Sequence, residues 1–250
     1  MRQQTFKDFE WLIVDDGSTD RTNELVNMWQ KEASFPIRYF YQTNRGKHVA
    51  FNRGVREASG LMFLAFDSDD TCPREAFERF HHYWCCISAG QRQRFSTITG
   101  LCSDQKGNIH GYQYPAPVID AYDFVSQWKL RRCERWGINR TDVLRRFPFP
   151  EFKGECYIPE ALVWERISCF YATRFFNEVV RFYEALRPGS ITADYARIRA
   201  GSPKGTSLYY RELMGRQIPL RPRARALLNY IRFSPTELKV VCRTDSSTKL

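Results

Sequence analysis

The chain has 250 residues, 43% of them hydrophobic, enough for the core of one large α/β domain with an appendage. No apolar run approaches the roughly 18 residues of a membrane span, and the charged start lacks the apolar stretch of a secretory leader, so a protein neither membrane-spanning nor exported is expected. A net charge of +10 calls for an anionic partner or a solvated basic surface.

Phe9-Glu10-Trp11-Leu12-Ile13-Val14 reads as a strand that runs into the acidic turn Asp15-Asp16-Gly17-Ser18-Thr19-Asp20, after which Leu25, Val26 and Trp29 recur at helical spacing. Ile37-Arg38-Tyr39-Phe40-Tyr41 is a second strand, and Asn44-Arg45-Gly46-Lys47 opens the segment from His48 to Ala58. The apolar run Leu61-Met62-Phe63-Leu64-Ala65-Phe66 then ends in Asp67-Ser68-Asp69-Asp70, with Pro73 opening a helix. The same unit thus occurs twice: apolar strand, acidic turn, helix. Ligands of parallel α/β sheets sit outside the carboxyl ends of the strands, so both acidic turns should face one crevice. Two carboxylates about 4 Å apart repel by roughly 4 kcal/mol at an effective dielectric near 20, which favours a cation between them. Hard Mg²⁺ or Mn²⁺, held by one or two carboxylates and substrate phosphates, suits oxygen ligands of this kind. The rival reading is that Asp69, Asp70 and Thr71 merely cap the following helix.

Further along, Asp104-Gln105-Lys106-Gly107-Asn108 reads as a hairpin turn and Asp120–Leu130 as a helix. In the segment from Phe152 to Ile167, Pro159 suits a first helical position, and Val163, Trp164 and Ile167 form one apolar face. Glu160 is therefore expected in the opening turn of a buried helix. Trp136 and Trp164 are candidates for stacking on a ligand face, or for the core. After Arg187-Pro188-Gly189-Ser190 and a polar stretch to Gly205, basic residues concentrate. Arg211, Arg216, Arg221, Arg223, Arg225 and Arg232 interleave with Leu220, Leu227, Leu228, Tyr230, Ile231 and Phe233. Such a pattern fits a solvated helical face, a basic amphipathic surface on anionic lipid, or, less well for want of a motif, nucleic acid. The eight cysteines show no C-x-x-C spacing and the four histidines no ligand pattern, so reduced thiols without a zinc site are expected.

Trp11 through Asp20, then Asn44-Arg45-Gly46-Lys47 with Ala50, Asn52, Gly54, Ala58 and Gly60, then Asp67-Ser68-Asp69-Asp70, resemble the successive motifs of family 2 glycosyltransferases in order and spacing across residues 3–73. The resemblance implies the GT-A fold, a Rossmann-like nucleotide-diphospho-sugar transferase domain with a mostly parallel sheet flanked by helices. It implies an inverting transfer of sugar from a nucleotide-sugar donor, most often UDP-linked, to an acceptor hydroxyl, with Mg²⁺ or Mn²⁺ on the diphosphate. Carried over by position, Asp15 and Asp16 would contact the nucleobase, Lys47 would lie near the nucleotide, Asp67 would touch the ribose and Asp69 would bind the metal. The general base would come from the second half of the domain. Glu160 is the candidate, although the family more often has Asp after a Glu where this chain has Pro159-Glu160; Glu155 is the runner-up, because a Gly-Glu pair, like Pro159-Glu160 and Trp164, also appears in the subset of the family that this chain resembles.

On this reading residues 1–100 are the donor half and 101–190 the acceptor and catalytic-base half of the same domain, with 191–250 a basic C-terminal extension. Met1 to Glu10 resembles the tail of the family's first helix and its loop into the second strand, so the first strand and most of that helix are expected to be absent, through a late start or in a degenerate homologue. Carbohydrate or lipid-linked acceptors, polysaccharide or glycoconjugate synthesis, and a cytoplasmic location with peripheral contact at the inner membrane face are the corresponding expectations. The competing class is a non-catalytic nucleotide-sugar-binding or scaffolding homologue.

Overall fold

The computed structural model describes residues 1–131, 134–183 and 195–234. Among the described residues seven strands form two sheets. β1 (Trp11–Asp16) pairs in parallel with β2 (Ile37–Gln42), joined by α1 (Thr22–Glu32), whose Trp29 stacks on Trp11 with ring centroids 5.2 Å apart. α2 (Lys47–Glu57) then leads to β3, which is only Met62–Phe63. After α3 (Ala76–Cys85), β4 (Phe95–Ser103) forms the centre of the second sheet. Next come β5 (Val118–Ala121), α4 (Phe124–Leu130), β6 (Arg135–Arg140), α5 (Thr141–Arg146), α6 (Ala161–Ile167) and β7 (Ala172–Phe182). The strand order is β3-β6-β4-β7-β5. α7 (Tyr195–Gly201), α8 (Pro203–Met214) and α9 (Leu220–Phe233) follow. The boundary at Arg187–Ser190 and the last sixteen residues lie outside the described residues.

The sheet is mixed rather than mostly parallel. β4 and β7 run parallel, but β6 is antiparallel to both β3 and β4, and β5 is antiparallel to β7. β3 is shorter than the apolar run that contains it, because beyond Phe63 the backbone finds a side chain instead of a strand: Trp136 donates its indole N–H to the carbonyl of Ala65 at 2.6 Å. The hairpin turn at 104–108 forms as expected, with Gly107 at φ +87°. The helix expected from Asp120 starts only at Phe124; Asp120 lies in β5 and pairs with Arg174, and Asp123 caps α4 by accepting from Ser126 N–H at 2.9 Å.

One core lies between α3 and the five-stranded sheet, around Phe80, Trp84, Phe95, Ile98 and Phe176. A second joins α2, α5 and α6 through Val55, Leu144, Phe149, Leu162 and Val163. A third joins α8 and α9 through Tyr210, Leu213, Ile218, Ala226 and Phe233.

Among the described residues β1 pairs only with β2, and β3 only with β6. Both unpaired edges face one apolar groove of about 620 Å³, lined on one side by Trp11, Leu12 and Val14 and on the other by Met62, Phe63 and Leu64. The two edges run the same way. Glu10, just before β1, accepts from the N–H of Ser59 past the C-terminal end of α2, while Asp16 and Asp67, at the far ends, meet the start of that helix. α2 spans the gap, since a Cβ on its Gly54 would lie 3.3 Å from the Phe63 ring and 3.7 Å from Val14.

Candidate active site

β1 delivers two adjacent carboxylates, and alternation along a strand sends them to opposite faces. Asp15 turns inward, where it accepts from the Ser18 N–H at 2.7 Å and the Tyr39 hydroxyl at 2.5 Å. Burial opposes its charge, but these donors outweigh it and hold the carboxyl below its usual range, while burial and Asp15 push the Tyr39 phenol up to about 12. Asp15 is thus committed to bracing its own turn rather than offered to a ligand. Asp16 accepts from Gln42 Nε2 at 2.8 Å and from the backbone N–H groups of Arg45 at 3.0 Å and Gly46 at 2.8 Å, so it caps the entry to α2.

The Asn44-Arg45-Gly46-Lys47 segment is held from both sides. A Cβ on Gly17 (φ +87°) would sit 2.7 Å from the Asn44 nitrogen, and one on Gly46 (φ +93°) only 2.0 Å from the Cys156 carbonyl oxygen. Glycine is required at both places by backbone shape and by space. Arg45 pairs with Glu151 at 2.8 Å, and Asn52 exchanges hydrogen bonds with the Phe149 backbone in both directions, each 2.9 Å. These contacts fasten the second half of the domain to the start of α2. Lys47 follows and bridges the two halves: its Nζ lies 2.7 Å from Asp67 and 2.9 Å from Glu160. Burial works against its charge, but Glu160 and Asp67 raise its pKa above the ordinary lysine value.

In the second acidic turn the aspartates diverge. Asp67 meets Lys47. Asp70 is tucked against Arg181 of β7 at 3.3 Å, and burial pushes its carboxyl up to about 6. Thr71 bridges to Phe182, pinning the turn to the end of β7. Asp69 stays on the exposed tip. No three His, Cys, Asp or Glu side chains converge on a metal position among the described residues. A single exposed carboxylate beside Asp67 does suit Mg²⁺ or Mn²⁺, which keeps waters and takes most of its remaining ligands from substrate phosphates.

Glu160 stands just before α6, one residue ahead of the expected helical position, with its side chain half exposed toward Lys47. Glu155 does something else. It is buried, and its two oxygens accept from the N–H groups of Lys204 and Gly205, each at 2.8 Å. It caps α8 and does not line the crevice. The two tryptophans belong to the core: Trp136 packs on Phe66 and Phe80, and Trp164 on Phe51 and Phe149. Sequence reasoning missed Arg181, Glu151 and Tyr39, whose roles depend on partners distant in the chain. His48, one of the four histidines without a ligand pattern, is buried at the start of α2 with neither nitrogen hydrogen-bonded.

Two acidic strand-end turns, a lysine between them and an acid from the second half thus meet in one crevice. Comparison with known proteins shows what the chain is similar to. Residues 1–107 match the model for "Glycosyl transferase family 2". An uncharacterized glycosyltransferase of Rickettsia felis is 43% identical over 75 residues, covering 30% of this chain and 12% of that protein. The glycosyltransferase GlyA of Streptococcus pneumoniae is 31% identical over 102 residues, 39% of this chain and 14% of that one. The chain therefore matches only a small part of the length of these relatives. In structure it resembles residues 1–349 of S. aureus TarS with a TM-score of 0.56 at 17% identity, over 93% of this chain and 64% of that one, which establishes the GT-A fold.

Proposed function

We propose that the chain is a metal-dependent, inverting glycosyltransferase that moves a sugar from a nucleotide-sugar donor, UDP-linked in the first instance, to an acceptor hydroxyl in polysaccharide or glycoconjugate synthesis. The observation that carries this reading is Lys47 held between Asp67 at 2.7 Å and Glu160 at 2.9 Å, because it brings the donor turn and the second-half acid into one crevice. The family match supports the donor class.

In the proposed reaction the acceptor oxygen attacks the anomeric carbon, the bond from that carbon to the diphosphate oxygen breaks, and its electron pair leaves with the nucleoside diphosphate. Glu160 takes the hydroxyl proton. Lys47 lies where negative charge gathers on the leaving group, and cations pre-placed at developing charge are among the largest contributions to such barriers. A divalent ion on Asp69 and the diphosphate would supply further countercharge.

The test is a screen of UDP-, GDP- and dTDP-sugars with Mn²⁺ or Mg²⁺, reading nucleoside diphosphate release with and without carbohydrate and lipid-linked acceptors. Metal-dependent release is the expected result. Tight donor binding with no release under any condition would replace the proposal by a non-catalytic nucleotide-sugar binder.

A further inference from the structure

Helix α9 has two apolar faces where its packing needs one. At 3.6 residues per turn, Ala226, Tyr230 and Phe233 fall on one side and join the core formed with α8. Leu220, Ala224, Leu227, Leu228 and Ile231 fall together on the opposite side, within an arc of about 100°. That second stripe is open to solvent: Leu220 is 79% exposed, Leu228 67%, Ile231 59% and Leu227 47%. Arg221, Arg225 and Arg232 border it on one flank and Arg223 on the other, all exposed, and the helix contains no acidic residue. Arg216, Tyr230 and Phe233, which the sequence pattern groups with this surface, are drawn into packing instead.

The chemistry of the stripe selects its partner. A second copy of the chain would set these arginines against their own equivalents. A nucleic-acid backbone would satisfy the guanidinium groups but would leave four large aliphatic side chains with nothing to bury against, and the exposed stripe has no aromatic ring for bases to stack on. An anionic bilayer surface takes both features at once, with the aliphatic stripe entering the acyl boundary and the flanking arginines staying among the phosphates. A helix of 14 residues is too short to cross the bilayer and would lie in its plane. We infer that α9 is a membrane-surface helix that docks the protein on anionic phospholipid. This holds independently of the transfer reaction, because its evidence lies outside the crevice.

The test is sedimentation of the full chain with vesicles of phosphatidylcholine alone or with one-third phosphatidylglycerol. The chain should follow the anionic vesicles, much less the neutral ones, and should release as salt is raised. Each arginine near such a surface contributes about fivefold to partitioning, so Arg221→Gln/Arg225→Gln/Arg232→Gln should weaken binding on the order of 100-fold. Leu228→Ser/Ile231→Ser should weaken it about tenfold or more by removing inserted aliphatic surface. Both variants alter exposed side chains, so thermal unfolding should match the parent and rule out misfolding. Failure of the parent to bind anionic vesicles, equal binding to neutral ones, or undiminished binding by the Leu228/Ile231 variant would overturn the inference. So would a lipid-free dimer in sedimentation velocity that this variant dissociates, which would assign the stripe to a second copy.

Discussion

Glu155 and Glu160 lie in one segment and carry the same functional group, yet the structure assigns them opposite consequences on conversion to glutamine. Glu155 is buried and accepts two backbone N–H groups at the start of α8. An amide offers one oxygen, and its NH₂ would confront the second donor. Hydrogen bonds to a charged group are worth about 1.5–3 kcal/mol and a stranded buried donor costs a further 1–3, so Glu155→Gln should destabilise by about 2.5–6 kcal/mol. At about 2–4 °C per kcal/mol for a chain of this size, the melting temperature should fall by roughly 5–24 °C. Glu160 is half exposed, and its pair with Lys47 is of the kind worth about 1 kcal/mol or less, so Glu160→Gln should leave the fold nearly unchanged. If Glu160 takes the acceptor proton, the same variant should lose about 10²–10⁴-fold in kcat, or about 3–5 kcal/mol in the barrier, with donor affinity preserved. Initial rates of nucleoside diphosphate release, donor titration and thermal unfolding on both variants separate the effects. Loss of kcat without loss of stability in Glu155→Gln, together with full activity in Glu160→Gln, would refute the assignment and move the base to Glu155.

Asp69→Asn keeps size but removes the charge, so Mn²⁺-dependent binding of UDP, read by calorimetry, and turnover should fall together; unchanged metal dependence would exclude Asp69 as a ligand. Burial raises the Glu165 carboxyl from 4.5 to about 7 despite Arg131 and Arg216 nearby. The unfolded chain therefore ionises first, and this group makes stability fall as pH rises from about 4.5 to 7, by about 3 kcal/mol over the window. Glu165→Gln should flatten that part of the stability profile, and an unchanged slope in denaturant titrations at pH 5 and 7.5 would contradict it. Among the described residues the groove between β1 and β3 presents two unpaired edges and apolar walls, so extending the chain upstream by a strand-forming segment and a helix should raise both thermal stability and donor affinity; UDP binding as tight without the extension would count against this.

The strand, acidic-turn and helix units were legible because apolar runs and turn residues are local signals; the pairing of Lys47 with Asp67, 20 residues apart, had no such signal. What a carboxylate does was less legible. Asp15 and Asp16 are adjacent and chemically identical, and only the position of Tyr39 on the neighbouring strand decides which is consumed by the turn. Glu155 could not be read as a cap because the helix it caps begins at Pro203, far along the chain. Strand direction was illegible for a different reason: hydrophobic runs encode burial but not polarity, so the antiparallel placing of β6 had no local signal. The second stripe of α9 is visible in the sequence pattern only once its packed face is known.

The crevice owes its geometry less to the sheet than to α2. β1 and β3 do not touch through the sheet, yet their acidic ends are held at one place because each is tied to the first residues of the same helix, Asp16 through the backbone of Gly46 and Asp67 through the side chain of Lys47. Along its length α2 presents Gly54 to Val14 and Phe63 together, and through Asn52 and Val55 it binds the second half of the domain. The close approach of Gly46 to Cys156 then fixes where the following segment runs and, four residues on, where Glu160 stands relative to Lys47. A donor entering between the acidic turns would compete for Lys47 with both carboxylates. The structure therefore holds one cation against an acid from each half, and the helix that carries it is the element through which the two halves are coupled.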